Sequence, residues 1–131
     1  MAKAPHLDIM RSPLGRARGL GSARSGASHW WAARVTSLAL VPLTLWFLCA
    51  MVRMIGAQRQ DVVSWIAGPL PLVLMISLIV ATFYHMALGL QVVIEDYVDN
   101  DAVRIGSILV MKGLSILLAL ACVVSVLRLG F

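Results

Sequence analysis

The stretch HMALGLQVVIEDYV, His85 to Val98, decides how this chain is read. It opens on a histidine deep inside an apolar run. It closes on two carboxylates and a tyrosine where that run ends. An imidazole in hydrocarbon is expensive, so such a histidine usually serves a function. The remainder of the chain has to bring His85 to mid-depth and Tyr97 to the membrane surface.

Composition sets the class. The 131 residues suffice for one domain, and they are 60% hydrophobic and only 13% charged. Mean hydropathy is +0.90. Soluble domains carry about 25% charged residues, and a soluble fold this apolar would expose large adhesive patches. The chain therefore reads as an integral membrane protein. Net charge is +5, and six of the basic residues, Lys3, Arg11, Arg16, Arg18, Arg24 and Arg34, precede the first long apolar run. A nucleic-acid patch would use such a tail. The apolar runs that follow favour the positive-inside rule instead, and no nucleic-acid partner is expected. Cys49 and Cys122 lie in apolar runs without CxxC spacing, so they signal neither zinc nor a redox pair. They are expected to be small buried hydrophobes.

Residues 1–28 carry four Gly (15, 19, 21 and 26) and two Pro (5 and 13), which oppose a stable helix. Their Arg and Ser content resembles a transit peptide, but no clear cleavage signal follows. They are expected to form an irregular basic arm that orders against a partner. Ser28 can cap a helix, and Trp30 and Trp31 suit the headgroup layer. Val35 to Val52 is 18 uncharged residues, enough for a span with its flanks. Pro42 should kink it, with Thr36, Ser37 or a neighbouring helix covering the freed carbonyl.

Residues 53–64 read as a polar loop. The next 33 uncharged residues, 62–94, would run about 50 Å as one helix, against a core of about 30 Å. The Gly68-Pro69-Leu70-Pro71 break removes the excess: Trp65 and Ile66 lie along the interface, and Pro71 opens the second span. Asn100 or Asp101 should cap the third helix, in which Lys112 is the one interior charge and can snorkel. The expected fold is thus an all-α integral membrane protein. Residues 29–131 form a three-helix anchor with spans at about 31–53, 71–97 and 104–128, packing with a partner's helices. Lys and Arg counts put the amino-terminal arm and the EDYVDND turn on the cytoplasmic side, or on the matrix side in a mitochondrion.

The second span carries the candidate site. Each helical residue turns 100°, so Ala81, His85, Gly89 and Asp96 share a face. Small residues one turn either side of the imidazole leave a flat slot. Small residues four apart also make an ordinary helix-packing seam. A buried imidazole must engage its ring nitrogens, and the neutral ring is the form that ligates iron. Haem ligation and an inter-helix hydrogen bond both meet that need. No second histidine reaches this depth, since His29 lies at the start of the first helix and His6 in the arm. A six-coordinate haem would need its other ligand from another chain. Tyr97 offers a hydroxyl at headgroup depth about 18 Å along the helix from His85. Asp96, on the His85 face, could relay protons.

The pattern His85, Gly89, Gln91, Asp96, Tyr97 resembles the smaller membrane-anchor subunit of succinate dehydrogenase. The stretch SGASHWWAARVTSLAL, with Arg34-Val35-Thr36 after a histidine, resembles the start of that family's first helix. The resemblance covers about residues 20–125. It implies that His85 supplies one axial ligand to a b-type haem and that a larger, cytochrome b-type anchor supplies the other. It implies that Tyr97 hydrogen-bonds ubiquinone, with Asp96 among its polar surroundings. Arg34 and His29 would lie near the haem propionates. An iron–sulfur subunit and a flavoprotein subunit would complete the complex, in a bacterial inner membrane or a mitochondrial one. The chain itself would be a non-catalytic subunit. An anchor of a quinol:fumarate reductase is the nearest alternative. A small haem-free transporter would want an intramembrane carboxylate, and these spans have none.

Overall fold

The computed structural model describes residues 13–14 and 25–130. The basic arm expected over 1–28 therefore lies mostly outside the described residues. Four helices follow one another: α1 Ser25–Arg53, α2 Arg59–Ile66, α3 Pro69–Tyr97 and α4 Asp101–Gly130. No strand occurs among the described residues. Three of the helices, α1, α3 and α4, are long and apolar enough to cross a membrane. With 29 residues, α1 and α3 each run about 44 Å, longer than a hydrocarbon core. In lipid a spanning segment must satisfy its own backbone, and uninterrupted helices do so.

The middle helix organises the rest. α3 packs against α1 on one side and α4 on the other, whereas α1 and α4 do not meet along their described lengths. Buried side chains are few: Ala50, Ile66, Leu88 and Ser115. Leu38, Leu109 and Leu117 stand far out from the chain. This is how a span looks without its lipid and neighbours, since lipid is as apolar as leucine and no oil-like core has to form. The expectation of buried cysteines is corrected on the same ground: Cys49 and Cys122 are free and exposed.

Local signals set the helix ends. α1 is already helical at Ser25, so Ser28 lies within it rather than capping it. Pro42 sits inside α1 without breaking it. The hydroxyls of Thr36 and Ser37 do not cover the Leu38 carbonyl that Pro42 frees. Thr36 Oγ1 donates to the Ala32 carbonyl at 2.7 Å and Ser37 to that of Arg34 at 2.8 Å. After α1 the chain reverses through Gly56, whose φ of 83° suits glycine.

The expected polar loop contains a two-turn helix, α2. Its signature is Gln58 with Asp61 three residues on: the Gln58 backbone N–H donates to Asp61 Oδ2 at 3.2 Å. α2 lays Ile66 against the ends of α3 and α4. Its Trp65 stacks on Trp46 of α1, centroids 5.8 Å apart. Such a pair contributes about 0.5–1.5 kcal/mol beyond its area. α3 opens at Pro69, two residues before the expected Pro71, with Gly68 as its cap. Asn100 caps α4 as expected, its Oδ1 accepting from the N–H groups of Ala102 and Val103 at 3.0 and 3.2 Å. Asp101 pairs with Arg104 one turn on.

Candidate functional site

The antiparallel pairing of α1 and α3 brings two distant residues together. Thr36 lies eleven residues into α1 and His85 twelve residues before the end of α3. Their Oγ1 and Nδ1 atoms are 2.9 Å apart. A threonine hydroxyl has one hydrogen, and Thr36 directs it to the Ala32 carbonyl at 2.7 Å. Its oxygen can then only accept, so Nδ1 of His85 carries the ring proton. Nε2 keeps its lone pair, and it has no hydrogen-bond partner among the described residues. Thr36 thus selects the tautomer and sets the ring orientation, which is what outer-shell groups do for metal-ligating histidines.

The turns of α3 on either side of His85 are open or only partly covered. A Cβ added at Gly89 would meet nothing within 4 Å. Ala81, one turn the other way, is only partly covered. Met86, Gly89 and Val93 expose the neighbouring face of α3. Among the described residues no three His, Cys, Asp or Glu side chains gather as a metal cluster. A single axial histidine needs no such cluster. The donor set fits a haem that is completed from outside the chain.

The other candidates take separate places. Tyr97 is the last residue of α3, 83% exposed. Asp96 beside it is also exposed. Glu95 is engaged, accepting from Gln91 Nε2 at 2.7 Å. Arg34 holds its guanidinium over the Trp30 ring, 5.0 Å from the centroid, on the flank of α1 away from Thr36. His29 lies two turns before Thr36 on the same side of α1, facing α3, and its Nε2 is buried without a partner. Arg34 and His29 are not brought together. The residue that sequence reasoning missed as a site member is Thr36. Its Arg-x-Thr setting is visible in the sequence, but its partner lies 49 positions away on another helix.

A second feature is a groove of about 1130 Å³ over the face of α3 that lies between α1 and α4. Ser28 and His29 from α1, Gln91 and Glu95 from α3, and Lys112 and Ser115 from α4 are its polar wall residues. His85 is not among its lining residues, so the groove and the open face beside His85 are distinct.

Comparison with known proteins gives a consistent result. A family model described as the succinate dehydrogenase/fumarate reductase transmembrane subunit matches residues 8–126. The chain is similar to the succinate dehydrogenase hydrophobic membrane anchor subunit of Rickettsia bellii, 33% identical over 116 residues, covering 88% of this chain and 93% of that one. It is similar to the protein of the same name from Paracoccus denitrificans, 31% identical over 86 residues, covering 66% and 67%. The succinate dehydrogenase membrane anchor subunit of Reclinomonas americana is 29% identical over 97 residues, covering 71% and 80%. No solved structure matches the chain.

Proposed function

This chain belongs to the succinate dehydrogenase/fumarate reductase transmembrane-subunit family, as a membrane anchor of succinate dehydrogenase, and on that premise we propose that it shares a b-type haem with a second anchor and helps to bind ubiquinone. The observation that carries the haem assignment is the Thr36–His85 hydrogen bond, which engages Nδ1 and leaves Nε2 without a partner among the described residues, on a helix whose next turn opens at Gly89. When bound, a haem supplies a one-electron iron couple. This chain's part is to hold the imidazole in one tautomer and to present it to a partner that brings the other ligand. Arg34 offers the cation for a propionate, held ready on the Trp30 ring. The test is optical: the purified complex should show a b-type reduced-minus-oxidised spectrum. A complex of full subunit content with no such signal would overturn the assignment.

Ubiquinone would be reduced at the end of α3. The Tyr97 hydroxyl donates to a quinone carbonyl, and Asp96 passes protons from the aqueous side. The iron–sulfur and flavoprotein subunits supply the electrons from succinate, and this chain contributes position rather than redox chemistry of its own. Tyr97→Phe should slow quinone reduction by about tenfold, the upper range for one neutral hydrogen bond. Succinate oxidation by an artificial dye should be unchanged. Equal loss of both rates would exclude the quinone role.

Orientation follows the basic residues. The arm and the α3–α4 turn face the cytoplasm of a bacterial inner membrane, or the matrix of a mitochondrion. In a chain with Cys49 and Cys122 changed to Ala, an impermeant maleimide applied to intact cells should label Ala57→Cys and spare Asp99→Cys. The reverse pattern would invert the topology.

A further inference from the structure

The groove between α1 and α4 is lined by neither His85 nor Tyr97, the residues on which the haem and quinone roles rest. We propose that it seats one membrane phospholipid, with its phosphate on Lys112 and an acyl chain laid along Phe83, Ala87, Ala119 and Leu120. The inference stands apart from the His85 reading, because His85 does not line this groove.

Four observations lead there. First, the chain leaves the space itself: α1 and α4 flank α3 without meeting, and the groove of about 1130 Å³ runs over the α3 face between them. That exceeds the roughly 300–1,000 Å³ of pockets for drug-sized ligands and suits a long chain with its head. Second, polarity is graded along it. Ser28, His29, Gln91 and Glu95 lie where α1 begins and α3 ends, and Val80, Phe83, Ala119 and Leu120 lie deeper. An amphiphile in one leaflet has that same order of head and tail. Third, the walls hold a cation that needs an anion. Lys112 is eleven residues into α4, about 16 Å from its start. It makes no hydrogen bond or ion pair with any described residue. An intramembrane cation usually finds a partner, and a lysine arm can rise toward the headgroups to reach a phosphate.

The fourth observation concerns His29. Its Nε2 is shut away from water without a partner, which is an unfavourable state for an imidazole nitrogen. His29 also lines the groove, so a turned ring would offer a donor to the proposed phosphate. Glu95, across the mouth, gives an ammonium-bearing head a counter-charge. The charges therefore suit a zwitterionic phosphatidylethanolamine. Trp30, Tyr84, Val80 and Leu120 form exposed apolar lips, which suit contact with neighbouring lipid tails better than a polar partner surface.

The test is lipid retention. The whole complex is purified in mild detergent and examined by native mass spectrometry, with phosphorus counted per complex. The unaltered complex should retain a phosphatidylethanolamine that Lys112→Gln loses at least tenfold, while Lys112→Arg keeps it. Ala119→Trp, which blocks the deep groove and leaves the cation, should also lose it. The haem spectrum should be the same in all four proteins. Equal lipid retention in Lys112→Gln and the unaltered complex would overturn the proposal. So would a density map of the complex with a partner helix or a quinone in the groove.

Discussion

The complex carrying His85→Ala should assemble in the membrane and lose its b-type absorbance. The physical ground is the position of the ring. His85 lies twelve residues before the end of α3, one turn from Gly89, where an added Cβ would meet nothing within 4 Å. On the proposed ligation, removal would take away the imidazole that this chain offers the iron, and no other described histidine lies as far inside a span. The loss should exceed the 10–100-fold drop in metal affinity that outer-shell changes alone produce. Loss of the ring does not endanger the helix, because alanine is the best helix former and His85 is only half-buried in this chain. Haem content per flavin should fall to near zero while dye-coupled succinate oxidation continues. An unaltered spectrum with full haem content would remove His85 from the iron.

Thr36→Val is the sharper probe, because it leaves the ligand in place. Valine keeps the shape of threonine and removes the acceptor for the Nδ1 proton. That proton would then be buried without a partner, at a cost of about 1–3 kcal/mol. The ring can escape by rotating or by shifting its proton to Nε2, and either route spoils the ligand. Haem retention should fall about 10–100-fold, as for other outer-shell partners of metal-bound histidine. Thr36→Ser should restore it, since serine can both donate to the Ala32 carbonyl and accept from His85. A purely structural role for Thr36 would leave the width and midpoint potential of the residual haem signal unchanged. Retention in the valine variant equal to that of the unaltered complex would show that Thr36 does not set the tautomer.

The differences between sequence reading and structure have local causes. Residues 59–64 read as loop because their composition is mixed and weakly hydrophobic, and the Gln58–Asp61 cap is the local sign of the helix. Ser28 has the chemistry of a cap, but the helix already includes Ser25. Pro69 rather than Pro71 opens α3, because either proline satisfies the first-turn rule and Gly68 precedes the former. An apolar run suggests buried cysteines, yet an exposed position on a membrane helix can be as apolar as a packed one.

Length, hydropathy and the Gly-Pro breaks were sufficient for three spanning helices. Backbone groups in lipid have no partner but their own helix, so an apolar run of that length has one outcome. The same count set the depth of His85 and placed Tyr97 at a helix end. Rotation and neighbours were not legible. Which ring nitrogen of His85 is free depends on Thr36, which lies on another helix and whose own proton is directed to Ala32. The groove exists because α1 and α4 stand apart on the flanks of α3. Membrane helices meet through side-chain fit between elements far apart in the chain, and no local pattern along one helix records it.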